Sequence, residues 1–206
     1  MATELKHHPL IQHYLTILRD RSTPTADFRR ASSGITRVLV MEAAKLLELE
    51  SVTVQTPLEA TEGAQIVLPV VFVPILRAGL GMLDVAMEII PNSTVGYIGL
   101  ERDETTAVAS CYYSKVPEMT EAKHVFLLDP MLATGGSAAQ SIERLKELGA
   151  QRITMVCVIS APEGVELLEA AYPDVDIITG VIDRELDENK YIRPGLGDFG
   201  DRLFGT

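Results

Sequence analysis

Three stretches of this chain place glycine or charge where ordinary packing gives them little reason to be. The first is DPMLATGGS, made of Asp129, Pro130, Met131, Leu132, Ala133, Thr134, Gly135, Gly136 and Ser137. It follows a short apolar run, residues 125–128, and precedes Ala138, Ile142, Leu145 and Leu148, which are spaced as on a helix. Strand, glycine loop and helix in that order offer free backbone N–H groups and the positive end of a helix dipole to an anion. An Asp at the strand's end can reach sugar hydroxyls or a divalent cation. The alternative is a tight turn with Ser137 as a helix cap, but Thr134, Gly135, Gly136 and Ser137 together favour a phosphate. No Lys follows the second glycine and the spacing is not GxGxxG, so ATP and dinucleotide fingerprints are absent. The second stretch is Arg77, which ends the apolar run 66–76 and opens the glycine-bearing turn Ala78, Gly79, Leu80, Gly81. A guanidinium there needs an anionic ligand or a carboxylate partner. The third is Arg102, at the base of the charged turn 101–106. That turn joins the extended stretches 94–100 and 108–113 into a hairpin excursion over the site.

The elements that must position these residues follow from the apolar pattern. Residues 5–21 predict a helix with Leu10, Ile11, Tyr14, Leu15 and Leu18 on one side. Thr25 is an N-cap for a second helix that turns Phe28, Ile35, Leu39 and Leu46 to the core. Residues 51–56 alternate as an edge strand, and 59–65 read as a polar link. The runs 66–76, 125–128, 154–159 and 176–182 have the apolar character of parallel strands covered on both faces. Helices are expected over 82–90 and 137–148, with Gly149 stopping the latter, and a third is opened by residues 161–164 and runs to 171. Alternating strands and helices imply an α/β protein with a largely parallel sheet and flanking helices. In such sheets ligands bind beyond the carboxyl ends of the strands, so the Arg77, Arg102 and Asp129 turns should meet on one rim. The tail, YIRPGLGDFGDRLFGT, breaks the rhythm. Its Tyr191, Ile192, Leu196, Phe199, Leu203 and Phe204 argue for a packed, irregular loop whose backbone could read the edge of a heterocycle.

Composition narrows the class. A chain of 206 residues, 47% hydrophobic and 23% charged, fits one globular domain spanning residues 1–206. With 18 Lys and Arg against 29 Asp and Glu the formal charge is −11, which argues against a nucleic-acid surface. Positive charge for a small anionic ligand must then be local. Cys111 and Cys157 match no metal spacing, and Cys157 sits in an apolar strand as a core residue. His7, His8 and His13 do not share a helical face and read as surface residues rather than as a metal site. No apolar run approaches a membrane span and no leader pattern is visible, so the expected location is cytoplasmic.

ILRAGLGM (75–82), ERDETT (101–106), DPMLATGGS (129–137), APEG (161–164) and YIRPGLGDFGDRLFGT (191–206) resemble uracil phosphoribosyltransferases, as does the opening HHPLIQHYLTILRDRSTPTADFRR. The likeness runs nearly end to end. It implies the type I phosphoribosyltransferase fold and the conversion of uracil and 5-phosphoribosyl 1-diphosphate (PRPP) to UMP and diphosphate. By the same resemblance Arg77, Arg102 and Asp198 are catalytic. Asp129, Pro130, Met131, Leu132, Ala133, Thr134, Gly135, Gly136 and Ser137, with Arg77, Arg102 and Asp198, bind PRPP. Ile192, Gly197, Asp198 and Phe199 bind uracil. Phe199 stands where the family often has a small residue, and a ring turned to the base would narrow the pocket. Members commonly use Mg²⁺, form homodimers or higher homo-oligomers, and in some cases respond to GTP. Because Asp129 is followed by Pro130 rather than a second acid, Mg²⁺ is expected to arrive on the diphosphate of PRPP, with no dedicated metal residues. A regulator of the same fold that senses UMP and binds RNA is the competing reading, and the acidic charge opposes it. A silent structural subunit is opposed by the presence of Arg77, Arg102, Asp129 and Asp198.

Overall fold

The computed structural model describes residues 2–67, 69–102, 109–121 and 123–206, without the side chains of 101, 102 and 109–111. In chain order these residues form β1 (Ala2–Glu4), α1 (Pro9–Arg19), α2 (Thr25–Ala43), β2 (Leu49–Gln55), β3 (Ala60–Ile66), β4 (Val70–Leu76) and α3 (Leu80–Ile89). Next come β5 (Thr94–Val95), β6 (Tyr97–Arg102), β7 (Ala109–Lys115), β8 (His124–Leu128), β9 (Met131–Leu132) and α4 (Gly136–Glu147). The remainder is β10 (Arg152–Ser160), α5 (Pro162–Ala171), β11 (Asp176–Ile182), β12 (Glu185–Leu186), β13 (Ile192–Arg193) and α6 (Phe199–Phe204).

The main sheet runs β1-β11-β10-β8-β4-β6-β7, parallel throughout except for the antiparallel edge pair β6–β7. Its central strands are buried on both faces because their side chains alternate between two apolar layers. Phe72, Phe126, Val156 and Val158 meet Phe28, Ile35, Leu39 and Phe199 on the side of α1, α2, α3 and α6. Val71, Val73, Leu127, Met155 and Cys157 meet Ile142, Leu145 and Leu168 on the side of α4 and α5. Burial pushes the Cys157 thiol up to about 11, so it is an inert core group. Parallel pairing of β8 with β4 and β4 with β6 brings Asp129, Arg77 and Arg102 to one rim, as expected.

Several expectations need correction. Residues 66–76 do not make one strand: Ile66 ends β3, and Pro69, which has no N–H to offer a ladder, separates it from β4. Residues 59–65 are not a polar link and 51–56 are not an edge of the main sheet. They pair with each other from Leu49↔Ile66 to Gln55↔Ala60 as a separate hairpin, where polar side chains face outward and no apolar alternation is required. The first helix begins at Pro9, not residue 5. His8 caps it by accepting from the Leu10 N–H, and residues 5–8 form a turn, closed by His8 N–H to Leu5 O, that leads in from β1, which runs along β11. Thr25 is the first helical residue of α2 rather than its cap, and Leu46, beyond that helix, is partly exposed. His7, His8 and His13 are all exposed. The tail is packed but not irregular throughout, since it closes in α6. β6 and β7 do form the expected antiparallel hairpin; its turn, 103–108, lies outside the described residues.

Candidate active site

The loop after β8 is held almost entirely by backbone. Asp129 N–H donates to Val156 O at 3.2 Å, and the Pro130 carbonyl accepts from Val158 and Ile159, each at 3.0 Å. Leu132 O accepts from Ala161 N–H at 2.8 Å, and β9 runs parallel to the end of β10. The chain then turns at Gly135, whose φ of 81° suits glycine, and enters α4 at Gly136. The Thr134 hydroxyl accepts weakly from Gly136 N–H at 3.4 Å. The loop lies on the start of α5. A β-carbon on Gly164 of APEG would collide with Ala133 O, and one on Gly135 would sit 3.1 Å from Gly164 O. Asp129, Met131, Leu132, Ala133, Gly135, Ser137 and Ala138 line the resulting recess. Its donors are the N–H groups of the first turn of α4, which have no partner within the helix.

A cleft of about 280 Å³ shares Asp129, Met131 and Ala133 with that recess and is completed by Ala78, Lys190, Tyr191, Ile192 and Asp198. Beside it Leu76, Arg77, Leu100 and Tyr112 line a second opening of about 360 Å³. The Leu76–Arg77 peptide is cis. The Arg77 side chain is 61% exposed and pairs with Asp201 at 3.5 Å, so the carboxylate partner exists but leaves the guanidinium open to solvent. Arg102 ends β6 on the same rim, and its side chain lies outside the described residues. Asp129 Oδ1 accepts from Met131 N–H at 3.5 Å, at the outer limit of a hydrogen bond.

The far wall is the tail. Ile192 is buried at the cleft, and Asp198 caps α6 by accepting from Asp201 N–H at 2.8 Å while staying exposed. Gly197, exposed between them, has a φ of 81°. Phe199 turns its ring away from the cleft: it is 0% exposed and packs edge-on against Phe28 at 5.2 Å. Its side chain therefore does not narrow the pocket, and only its backbone can reach a ligand there.

The model of the uracil phosphoribosyltransferase family matches residues 5–206. The chain belongs to this family. It is 50% identical to the uracil phosphoribosyltransferase of Salinibacter ruber over 97% of this chain and 95% of that one. The AQ2163 protein of Aquifex aeolicus superposes with a TM-score of 0.93 and 38% identity, covering 100% of this chain and 99% of its own. A hypoxanthine phosphoribosyltransferase of Staphylococcus aureus shares the fold alone, with a TM-score of 0.50 and 13% identity over 82% of this chain and 85% of its own. These likenesses agree with the type I phosphoribosyltransferase fold.

Within this uracil phosphoribosyltransferase scaffold, motif reading misses the groups that hold the tail in place. Arg202 donates to Leu196 O at 2.7 Å, to Asp20 O at 2.6 Å and to Leu18 O, and lies 4.4 Å from the centre of the Phe28 ring. Arg19 and Asp183 form a further pair at the base of the tail. Lys190 adopts a φ of 66°, rare for a residue with a side chain, at the mouth of the cleft. Only the proline and glycines of PGLG hint that this segment must be clamped; its partners lie more than 160 residues away for Arg19 and Gly195.

Proposed function

We propose that the protein transfers the 5-phosphoribosyl group of PRPP to N1 of uracil, forming UMP and diphosphate in pyrimidine salvage. The observation that carries this reading is the continuity of the anion recess with the cleft through Asp129, Met131 and Ala133. One ligand can thus set a phosphate against α4 and its sugar between Asp129 and the tail. The recess residues 129–137 hold the 5-phosphate; Arg77 and Arg102 meet the diphosphate; Ile192, Gly197, Asp198 and the Phe199 backbone hold uracil.

As the bond from ribose C1 to diphosphate breaks, its electron pair leaves on diphosphate and the sugar carbon becomes cationic. The two arginines stabilise the leaving charge, and Asp198 and Asp129 supply negative charge near the sugar. The recess fixes the donor so that uracil N1 is presented to C1, and the N1 proton passes to a carboxylate or to water. Uracil shows an acceptor–donor–acceptor edge where cytosine shows an amino group, and fixed backbone groups reject a mismatch because it leaves buried polar atoms unpaired.

The donor set suits a divalent cation that arrives on the substrate. Among the described residues no three His, Cys, Asp or Glu side chains converge, yet Asp129 faces the cleft. Asp129 and diphosphate oxygens would hold Mg²⁺ with waters, and when bound it would neutralise charge on the leaving group. Homo-oligomerisation is supported by the β2–β3 hairpin, which stands apart from the main sheet and carries Leu49, Val54 and a 94% exposed Leu58 at its tip. Light scattering tests that assembly. The function is tested by UMP formation from uracil and PRPP with Mg²⁺, against cytosine, hypoxanthine and orotate, with and without GTP as activator. Absence of turnover with uracil under every condition would overturn it.

A further inference from the structure

Gly195 lies midway in sequence between Ile192 and Asp198, both of which line the cleft. Its backbone is gripped on both sides. The Gly195 N–H donates to Asp183 Oδ2 at 2.8 Å, while Gly195 O accepts from Arg19 Nη1 at 3.0 Å. Arg19 and Asp183 in turn meet as a two-pronged pair, Nη1 to Oδ2 at 2.9 Å and Nη2 to Oδ1 at 2.6 Å. A closed ring results: glycine amide, carboxylate, guanidinium, glycine carbonyl. The Asp183 side chain is 4% exposed and that of Arg19 27%, so the pair is shielded from screening by water and salt. Gly195 has a φ of 68°, and a β-carbon on it would collide with Ile192 O. The turn therefore presses directly on the backbone of a residue that forms the cleft.

Neither charged residue of this ring lines the cleft. Asp183 follows the carboxyl end of β11, and Arg19 closes α1. A buried, fully paired carboxylate at the ligand rim, spent on one glycine amide, has a purpose that chain reversal alone does not require. Many turns hold without an ion pair beneath them. What the ring adds is precision in the relative placement of residues 192 and 198.

Resting on the base-transfer reading above, we propose that Arg19 and Asp183 are positioning residues for base recognition. They hold residues 192–198 in the one shape whose backbone matches a 2,4-dioxopyrimidine edge, and so set affinity and selectivity for the base without touching it. The 5-phosphate side, built on residues 129–137, is independent of them, and Asp198, the one residue of the segment that also meets the donor, is fixed separately as the cap of α6 by the Asp201 N–H.

The test is steady-state kinetics with uracil and PRPP varied separately, on the wild-type protein, Asp183→Asn, Arg19→Ala, Arg19→Lys and Arg37→Ala. Asp183→Asn keeps shape but turns an amide N–H toward Arg19. Arg37, in an exposed pair with Glu88, is the control for loss of an ion pair elsewhere. The expected result is a rise of about tenfold or more in KM for uracil, since a mismatched buried polar contact discriminates at least this strongly. KM for PRPP should stay within about twofold, as the ring leaves the donor loop alone, and the preference for uracil over cytosine in kcat/KM should fall. Arg19→Lys should recover part of the loss in Arg19→Ala, because an ammonium replaces one prong of two. If Asp183→Asn does not fold, the Arg19 pair of variants decides. An unchanged KM for uracil, or an equal loss on both substrates that tracks melting temperature, would overturn the inference. Failure of the wild-type protein to form UMP would instead overturn the base-transfer reading and take this inference with it.

Discussion

The two walls of the cleft are built on different plans. The phosphate loop is held by its neighbours: Pro130 O and the Asp129 amide bond to β10 backbone, Leu132 O accepts from Ala161 N–H just beyond it, and the close fit to α5 depends on glycine. The base loop is held by side chains: Arg19, from the end of α1, and Asp183, from the end of β11, grip Gly195, and Arg202 ties Leu196 back to the carbonyls of Leu18 and Asp20 at the end of α1. The first wall is a backbone design, insensitive to charge and intolerant of added volume. The second is a charge design, tolerant of volume at its exposed residues and sensitive to loss of one partner. A phosphate is alike in every donor, and rigid amides suit it. A heterocycle must be told from its near relatives, and a loop clamped in one shape does that by leaving a mismatched polar group unpaired.

The largest effect should come from volume on the backbone-built wall. Gly164→Val puts a branched side chain into Ala133 O and Leu132 O, where no flexible group can yield. About 3 kcal/mol of stability should be lost, at the upper end of overpacking costs, with KM for PRPP raised; urea unfolding and PRPP saturation curves measure the two. Gly136→Val separates binding from folding. A β-carbon there meets only Thr134 Oγ1 at 3.7 Å, so the chain accepts it and the incoming phosphate does not. The expected loss is about 100-fold in kcat/KM for PRPP, equal to about 2.7 kcal/mol, with the melting temperature unmoved. A Gly136→Val protein that melts early would show that the two glycines share one structural task.

This contrast also explains what could be read from sequence. The order strand, DPMLATGGS, helix is contiguous, and the rim position of Arg77 follows from apolar runs that end in charge. The parallel sheet was legible for the same reason, because each strand's burial is recorded in its own residues. The β2–β3 hairpin was not, since ATEGAQI has no apolar periodicity and its pairing is exposed on both faces. Nor was the clamp. Arg19 ends an ordinary amphipathic helix and Asp183 follows an ordinary strand, and nothing near either announces a partner 164 residues away. Phe199 shows the same limit from the other direction. Its neighbours suggested a base contact, and only the packing of α6 on Phe28 turns its ring to the core.

The two ends of β8 extend the comparison. Asp129 follows its carboxyl end at the cleft, whereas His124 opens it at the opposite rim, 6% exposed, with Nε2 2.9 Å from Thr154 Oγ1 and Nδ1 buried without a partner among the described residues. Burial, aided by the Arg152 guanidinium, pushes the His124 imidazole down to about 4. The folded protein therefore keeps this ring neutral. As pH falls below the ordinary value of 6.5 the unfolded chain takes up a proton first, and stability is lost down to about 4. Between pH 7 and pH 5 the loss attributable to this residue should be about 2 kcal/mol. In His124→Gln that part of the slope should vanish while UMP formation at pH 7 is kept; urea midpoints at the two pH values measure it. An unchanged slope would assign the acid sensitivity to carboxylates at the other rim.

The smallest effect on the fold, and the most informative on how the walls communicate, is at Arg77. Its guanidinium reaches across from the donor side to Asp201 at 3.5 Å and lies 5.9 Å from the Phe204 ring, both in α6 of the base side. Both charged partners are more than half exposed, so removing the pair should change stability by less than about 1 kcal/mol. Arg77→Ala should therefore unfold like the wild-type protein and yet bind PRPP poorly. Asp201→Asn supplies the converse. It releases the guanidinium without removing it, so KM for PRPP should fall slightly, and the gain should shrink as salt is raised because an exposed pair is already screened. If instead Asp201→Asn weakens PRPP binding, the carboxylate is orienting Arg77 toward the donor rather than competing for it. The two walls would then be coupled through α6 and not merely adjacent.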